Sequence, residues 1–220
     1  LGLGENQFTT LPPEIGQLTN LKWLYLEGNQ LTTLPSEIGQ LTNLTGLTIH
    51  GKQFTTLPSE IGKLTNLVYL GLGENQFTTL PPEIGQLENL TWLFLEGNQL
   101  TTLPSEIGKL TKLTELQIEK NPLTDTGLEH LKSLKSLKRL SVHDTKVTKA
   151  GVEAFRKALP NCEIKVQANI RDLCCAQFAV IIVIGWENIG DYQAFPFFTG
   201  YQRQSHENPQ LDGDHETHEP

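Results

Sequence analysis

Short segments in which leucine alternates with polar or aromatic residues recur from the start of the chain to about residue 164. In one of them, KWLYLEG, Leu24 and Leu26 alternate with Trp23, Tyr25 and Glu27. Successive side chains of a strand point to opposite faces, so this alternation predicts a short strand with its leucines on one face and the other residues on the opposite face. We call the face opposite the leucines the concave face.

The segments recur with a fixed period. Residues 1–18 return unchanged at 70–87, a displacement of 69 residues or three units of 23. Such a period predicts a solenoid, in which each unit buries its leucines against the next and no unit is stable alone. Side by side, the strands form a parallel sheet with a spacing of about 4.8 Å. After the first, the units begin at residues 19, 42, 65, 88, 111 and 135.

The segment that returns from one strand to the next differs along the chain. In the first five units it contains LPPEIG or LPSEIG, where proline and glycine favour an extended or single-turn path over a helix. We therefore expect a thin convex side in units one to five. Residues 126–133 and 149–159 lack proline and place apolar residues at helical spacing, which predicts helices in units six and seven.

The shared pattern LxxLxLxxNxLxxLPxxIGxL resembles the leucine-rich repeat family, in its 23-residue class with LPxxI on the outer side. It is similar to bacterial members and to those of the Scribble and Ras-suppressor type, and the last units resemble ribonuclease-inhibitor-like repeats. The resemblance implies an α/β fold: a right-handed solenoid, or horseshoe, with a concave parallel β-sheet and about seven units over residues 1-164, the first of them truncated. It also implies a non-catalytic protein-interaction module with scaffolding or signalling partners.

An asparagine follows the strand in five units, where the chain turns. Its side chain carries both donor and acceptor groups, so it can satisfy backbone groups that stacking buries. The equivalent positions hold Lys52 in unit three and Thr145 in unit seven, and we expect Lys52, which has no acceptor, to weaken the ladder locally. The predicted structural ladder consists of Asn6, Asn29, Asn75, Asn98 and Asn121.

The concave face carries large aromatic side chains. Five of them occupy two columns of the predicted sheet, and Gly46, Thr48 and Gly71 are expected to leave recesses between them. Exposed rings beside recesses are typical of protein-binding hot spots, so we expect a protein or peptide ligand here, with acidic rim residues setting its charge preference. Cross-strand stacking of the rings without a ligand is the alternative. The candidate binding residues are Trp23, Tyr25, Tyr69, Trp92 and Phe94, with Glu27 and Glu96 on the rim.

Composition and charge narrow the functional classes. The net charge of -8 disfavours nucleic acid as a partner, because phosphate contacts need clustered lysine and arginine. No apolar stretch reaches the roughly 18 to 20 residues of a membrane span. The repeats bring together no nucleophile, base and orienting group, so we predict no catalytic residues, no metal site and no cofactor. With no signal peptide visible, a cytoplasmic location is expected.

Two segments follow the repeats. Residues 165-190 include the apolar run LCCAQFAVIIVIGW, which predicts either a capping segment over the end of the solenoid or an aggregation-prone stretch. Residues 191-220 are acidic and polar and are expected to be disordered. Two functions other than a free-standing interaction module stay open: the recognition segment of a larger signalling receptor or GTPase-linked enzyme, and a secreted effector that acts on host proteins.

Overall fold

The computed structural model describes residues 1–51 and 53–166. In this part of the chain, seven short strands form one parallel sheet, and each strand pairs with the next along the sequence. The predicted parallel sheet of stacked units is confirmed. The strands are β1 Trp23–Tyr25, β2 Gly46–Thr48, β3 Tyr69–Gly71, β4 Trp92–Phe94, β5 Glu115–Gln117, β6 Arg139–Ser141 and β7 Glu163–Lys165.

The strand register places the same position of successive units side by side. The middle leucine of each strand from β1 to β6 points away from the concave face and is fully buried, as the alternation predicts. Before β1, the Leu3 N–H donates to the Tyr25 carbonyl at 2.9 Å, so the first residues extend the edge of the sheet. The buried column consists of Leu24, Leu47, Leu70, Leu93, Leu116 and Leu140.

Each of the first five units returns through a single 3₁₀ turn. Proline starts this path because its φ is fixed: Pro35 has a φ of −67° and a ψ of 152° immediately before its turn. The turn closes when the Leu41 N–H donates to the Ile38 carbonyl at 3.1 Å. The thin convex side predicted for these units is confirmed. The turns span Pro13–Gln17, Ser36–Gln40, Ser59–Lys63, Pro82–Gln86 and Ser105–Lys109.

Unit seven contains the predicted helix. This helix, α2, spans Lys149–Ala158. It begins after Thr148, whose hydroxyl oxygen accepts the Gly151 N–H at 3.1 Å and so caps the helix N-terminus. Asp125 of the preceding unit accepts both the backbone N–H and the hydroxyl of Thr148, at 2.7 and 2.6 Å, which fixes the cap against its neighbour.

Unit six contains a shorter helix than the sequence pattern predicts. Here α1 spans Asp125–Glu129, and the chain then continues as a 3₁₀ turn over His130–Ser133. The Leu134 N–H closes this turn on the Leu131 carbonyl at 3.0 Å, and Leu131 is fully buried. This is the arrangement of the 3₁₀ turns in the earlier units. The stretch contacts the 3₁₀ turn of the preceding unit, where the Ser133 hydroxyl donates to the Gly108 carbonyl at 3.3 Å, and the α-helix does not continue through it.

A strand at the end of the predicted solenoid, residues 1-164, closes the described sheet. In β7, Glu163 lies beside Arg139 of β6, and the Val142 N–H donates to the Lys165 carbonyl at 2.9 Å. Cys162, immediately before β7, is buried at the end of the core. Apart from residues 165 and 166, the two segments predicted to follow the solenoid lie outside the described residues.

Asn98 illustrates how the ladder asparagines bond to the backbone. Its side-chain N–H groups donate to the carbonyls of Leu95 at 2.9 Å and of Leu72, in the preceding unit, at 3.0 Å. Its side-chain oxygen accepts the Phe77 N–H, also in the preceding unit, at 3.0 Å. One buried amide therefore satisfies backbone groups of two units, which would otherwise lie unpaired in the core. The same arrangement occurs at Asn29, Asn75 and Asn121.

The remaining ladder positions differ from this arrangement. Asn6 is exposed and donates only to carbonyls of its own unit, those of Leu3 and Gly4. Thr145 donates its hydroxyl to the Val142 carbonyl at 2.7 Å, so a shorter side chain replaces part of the amide's bonding. Lys52 lies outside the described residues, and its weakening effect stays a prediction.

A second column of asparagines links the units at the other end of the strands. Asn43, Asn66 and Asn89 belong to the TNL or ENL segment that precedes each strand, and each donates to a backbone carbonyl 24 residues earlier at 2.8 to 2.9 Å. The sequence signal for this column is as regular as that of the first, since both recur every 23 residues. The chain is thus tied to its neighbouring unit at both ends of a strand.

Replacing Asn98 with alanine should destabilise the protein by about 2 to 4 kcal/mol, because buried backbone groups of two units lose their partners. Asn6→Ala is the matched control and should cost less than about 1 kcal/mol, since the groups that it bonds are exposed. Urea unfolding followed by circular dichroism measures both. Equal losses for the two variants would show that the ladder bonds contribute little.

Gly85→Ala tests how closely the 3₁₀ turns are stacked. A Cβ at Gly85 would lie 2.5 Å from the carbonyl oxygen of Glu106 in the next unit, and a backbone atom cannot move aside alone. We expect a loss of about 1 to 3 kcal/mol. At Gly51, a Cβ would lie 3.5 Å from the nearest atom, the Asn29 carbonyl oxygen, so Gly51→Ala should leave the thermal midpoint nearly unchanged. A Gly85→Ala midpoint equal to that of the control would contradict the close stacking.

Candidate functional site

The five aromatic candidates lie on three strands of the described sheet. Trp23 and Tyr25 begin and end β1, Tyr69 begins β3, and Trp92 and Phe94 begin and end β4. Their side chains point to the concave face because the leucine between them points into the core. We call these five residues the aromatic patch.

Ring contacts join four members of the aromatic patch, which lie on β1, β3 and β4. The rings of Trp23 and Tyr25 are stacked, with centroids 5.9 Å apart and planes at 12°. Trp23 also approaches Tyr69, at 5.9 Å and 43°. Tyr69 in turn meets Phe94 edge to face, at 5.2 Å and 87°. These distances and angles fall in the range favoured by aromatic pairs. Trp92 lies beside Tyr69 in the strand register.

The recess expected at Gly46 is filled. The Trp23 indole lies over the backbone of Gly46, so that a Cβ there would overlap the ring. Because Gly46 has no side chain, Trp23 reaches across β2 to Tyr69, two strands away. Thr48 and Gly71 are likewise buried beneath neighbouring side chains. The expectation of open recesses at these three positions is therefore corrected: the small residues let the rings pack together.

Stacking leaves the aromatic patch partly exposed. Trp23 remains 40% exposed, and it is among the few large apolar side chains with this exposure in the described part of the chain. The other four rings are half-buried. The rings of the aromatic patch thus pack against one another and still expose part of their surface to solvent.

The rim residues Glu27 and Glu96 lean toward the middle of the aromatic patch. Glu27 accepts the Thr48 hydroxyl at 2.7 Å, from the next strand. The Glu96 side chain lies over Gly73 of the preceding unit, in the space that a Cβ would fill. Its Oε2 atom is buried and has no hydrogen-bond partner in residues 1–51 and 53–166. Burial raises the pKa of Glu96 above its ordinary value, and the nearby charges of Glu119 and Glu74 add to the rise, although His50 and a backbone hydrogen bond oppose it.

Tyr69 lies within the field of these carboxylates. Burial, followed by the charges of Glu96 and Glu27, raises the pKa of the Tyr69 hydroxyl to about 12. The phenol therefore stays neutral at physiological pH and offers the concave face a hydroxyl and a ring.

Two further glutamates, absent from the predicted site, lie on the same face. Glu115 accepts Arg139 at 2.6 Å and Gln117 at 2.9 Å. Glu119 lies 3.7 Å from the Nε2 atom of His143, and its Oε2 atom is buried without a hydrogen-bond partner in the described part of the chain. Both occupy the outward columns of the repeat, so the periodicity alone places them on this face.

The described residues show no grouping of three or more histidine, cysteine, aspartate or glutamate side chains placed to hold a metal ion. Burial raises the pKa of the Cys162 thiol to about 11, which keeps it protonated and weakly nucleophilic. Across the part of the chain that the structure describes, the helices are all too short or too polar to cross a bilayer.

Glu96→Gln should stabilise the protein at neutral pH. The raised pKa means that the folded state holds its proton more tightly than the unfolded state, whose carboxyl titrates near the ordinary value of 4.5. Stability therefore falls as pH rises above that value and through the folded pKa, and glutamine removes this loss. In thermal unfolding, the variant should have the higher midpoint at about pH 7 and lose this advantage at about pH 4. A difference independent of pH, or the same effect in the exposed control Glu88→Gln, would contradict this account.

A family model described as a leucine-rich repeat region matches residues 1–68 and 59–161. A comparison with curated proteins gives no match. The matched ranges cover most of the described chain and include all the candidate binding residues.

Three solved structures illustrate the likeness. A leucine-rich repeat protein of Leptospira interrogans is 44% identical, with a TM-score of 0.70 over 75% of this chain and 42% of that one. The leucine-rich repeat ectodomain of the Arabidopsis thaliana receptor kinase GASSHO1/SCHENGEN3, solved in complex with CASPARIAN STRIP INTEGRITY FACTOR 2, is 31% identical, with a TM-score of 0.57 over 71% and 19%. Internalin C2 of Listeria monocytogenes shares the fold at 24% identity, with a TM-score of 0.59 over 76% and 79%.

This chain spans less than half the length of the Leptospira protein that it matches. The residues matched by the family model include six of the seven strands of the parallel sheet. The chain belongs to the leucine-rich repeat family.

Proposed function

We propose that the protein is a non-catalytic interaction module that binds a protein or peptide partner on its concave face, with the aromatic patch as the anchor. The observation that carries the proposal is the contiguous cluster of rings on the open sheet, with Trp23 exposed at 40%. Leucine-rich repeat proteins are typically protein-interaction modules, which is the background for this choice.

The geometry of the rings favours binding over passive stacking. Rings held by neighbouring rings lose little conformational freedom when a partner arrives, so more of the contact energy contributes to affinity. Large aromatic side chains dominate interface energetics and cluster where water can be excluded. The glutamates beside the rings supply polar groups at the rim, as protein interfaces usually have.

The comparisons support an interaction role without naming a partner. The Arabidopsis ectodomain, whose matched part is 31% identical, was solved in complex with CASPARIAN STRIP INTEGRITY FACTOR 2. That structure concerns another protein, and it supports the proposal only in showing a relative of this repeat architecture with a bound partner.

A ring variant tests the proposal. It replaces all five residues of the aromatic patch with serine, and affinity capture with quantitative mass spectrometry compares it with the parent. We expect the parent's specific partners to be depleted at least tenfold, because truncating an anchor commonly costs 2 kcal/mol or more. Cross-linking of the parent should place the partner on the concave face. The ring variant consists of Trp23→Ser, Tyr25→Ser, Tyr69→Ser, Trp92→Ser and Phe94→Ser.

The control is a variant with Phe8→Ser and Leu18→Ser. These apolar side chains are also exposed, at 41% and 44%, but they lie outside the strands of the sheet. Circular dichroism establishes whether both variants fold. If the variant with five substitutions does not fold, Trp23→Ala alone is used in its place. If folded ring variants retain the same partners as the control, the rings merely stack and the proposal is wrong.

A further inference from the structure

We infer that the bound partner segment presents a lysine or arginine side chain to the aromatic patch, over Tyr69 and between Glu27 and Glu96. This inference rests on the proposed function, because it names the chemistry of the partner at the same site. It follows from the convergence, on a cluster of rings, of two carboxylates that have no lysine or arginine partner in the described residues.

The two carboxylates start far apart and converge. Glu27 follows β1 and Glu96 follows β4, so their backbones are three strand spacings apart, or about 14 Å. Glu27 leans forward to the hydroxyl of Thr48 on β2, whereas Glu96 leans back over Gly73, in the unit of β3. Across the sheet, their head groups are thus about one strand spacing apart, roughly 5 Å, and along the strands they are two residues apart, roughly 7 Å, because Thr48 lies beside Gly71 in the register. A single cationic group can lie near both.

The Tyr69 ring reaches over Gly71, which lies beside Thr48 in the strand register and two residues before Gly73. The charges of Glu96 and Glu27 both contribute to the raised pKa of its hydroxyl, after burial. Its ring also contacts Trp23 and Phe94. The site therefore offers negative charge from two sides and aromatic faces from below.

Neither of the two carboxylates is neutralised by the described part of the chain. Among residues 1–51 and 53–166, other acidic groups of this face have basic partners: Glu115 pairs with Arg139 at 2.6 Å, and Glu74 lies 3.9 Å from Lys120. In the same residues, no lysine or arginine lies within ion-pair distance of Glu27 or Glu96. His50, whose Nε2 atom lies over Gly71, opposes the rise in the pKa of Glu96 but forms no ion pair with Glu27 or Glu96 in the described residues.

The burial of the Glu96 carboxylate also favours a cation nearby. One of its oxygens is buried without a hydrogen-bond donor in the described residues, so its charge is poorly solvated. A positive group above the patch offsets that cost through space, and the attraction is stronger at a partly buried site than in bulk water. Direct contact with the buried oxygen is not required.

Lysine and arginine match both halves of this site. Their charged ends are attracted to the faces of tryptophan and tyrosine rings, and their aliphatic stems pack on apolar surface. The carboxylates of Glu27 and Glu96 add a second attraction and disfavour acidic residues at the same point. The patch is open along the sheet, which suits a side chain carried by a protein segment.

A library of random linear peptides displayed on phage is the probe for this inference. Peptides are selected on the full chain, and those that fail to bind the ring variant are synthesised in two forms, one as selected and one with its lysine or arginine replaced by glutamine. Dissociation constants are then measured for the parent and for a carboxylate variant, Glu27→Gln with Glu96→Gln. The control, Glu14→Gln with Glu88→Gln, makes the same change in net charge at exposed positions outside the concave face.

We expect the selected peptides to share a basic residue. Neutralising it should weaken binding to the parent and to the control about 10- to 100-fold, as for loss of a charge-assisted contact. The same change should weaken binding to the carboxylate variant at least about fivefold less, because the partners of the cation are already gone.

Other outcomes separate the inference from the proposed function. Ring-dependent peptides without a common basic residue, or with equal sensitivity to neutralisation in parent and carboxylate variant, overturn the inference and leave the aromatic binding site intact. A selection that yields only peptides indifferent to the ring variant overturns both. Glutamine at position 96 removes a poorly solvated charge, so the carboxylate variant is expected to fold and serve in the test.

Discussion

The constraint on which the rest of the structure depends is that each unit's apolar face can be buried only by its neighbour. The duplicated block makes this visible, since residues 1–18 and 70–87 have identical sequences. Phe77 in the second copy is fully buried against unit three and contacts Phe54, whereas Phe8 in the first copy is 41% exposed. Burial in a solenoid therefore belongs to the pair of units in contact, and the 23-residue period keeps every pair in the same register.

That register explains why the polar parts of the fold are as regular as its core. Stacking encloses backbone groups that a lone unit would leave in water, and a buried group without a partner is costly. The ladder asparagines meet this need because one amide both donates and accepts, as Asn98 does between two units. Because the backbone is fixed in this way, the outward-facing positions of successive strands form straight columns. The side chains at these positions can vary without changing the fold.

The sequence patterns predicted the features that repeat. The strands, the parallel sheet and the 3₁₀ turns follow from leucine spacing and from proline and glycine at fixed positions. The end of α1 at Glu129 does not follow from its own sequence, because the stretch after it contacts the turn of the preceding unit, where the Ser133 hydroxyl donates to the Gly108 carbonyl. Nor does the filling of Gly46 or the leaning of Glu96 over Gly73, since each depends on which residue the next or previous unit places beside it. Such contacts join residues of different units, and a periodic pattern, which describes only what the units share, does not predict them.

The candidate site lies where the repeat departs from its own pattern. Trp23 and Trp92 occupy the same position in two units, yet their neighbours differ: Trp23 is followed across the sheet by Gly46, and Trp92 by Glu115. The glycine lets the Trp23 indole cross a strand and join Tyr69, whereas Glu115 is engaged with Arg139 beyond it. Gly73 gives Glu96 a similar freedom to lean toward the rings. The repeated residues thus determine the scaffold, and the small residues that interrupt the columns determine which side chains meet on it.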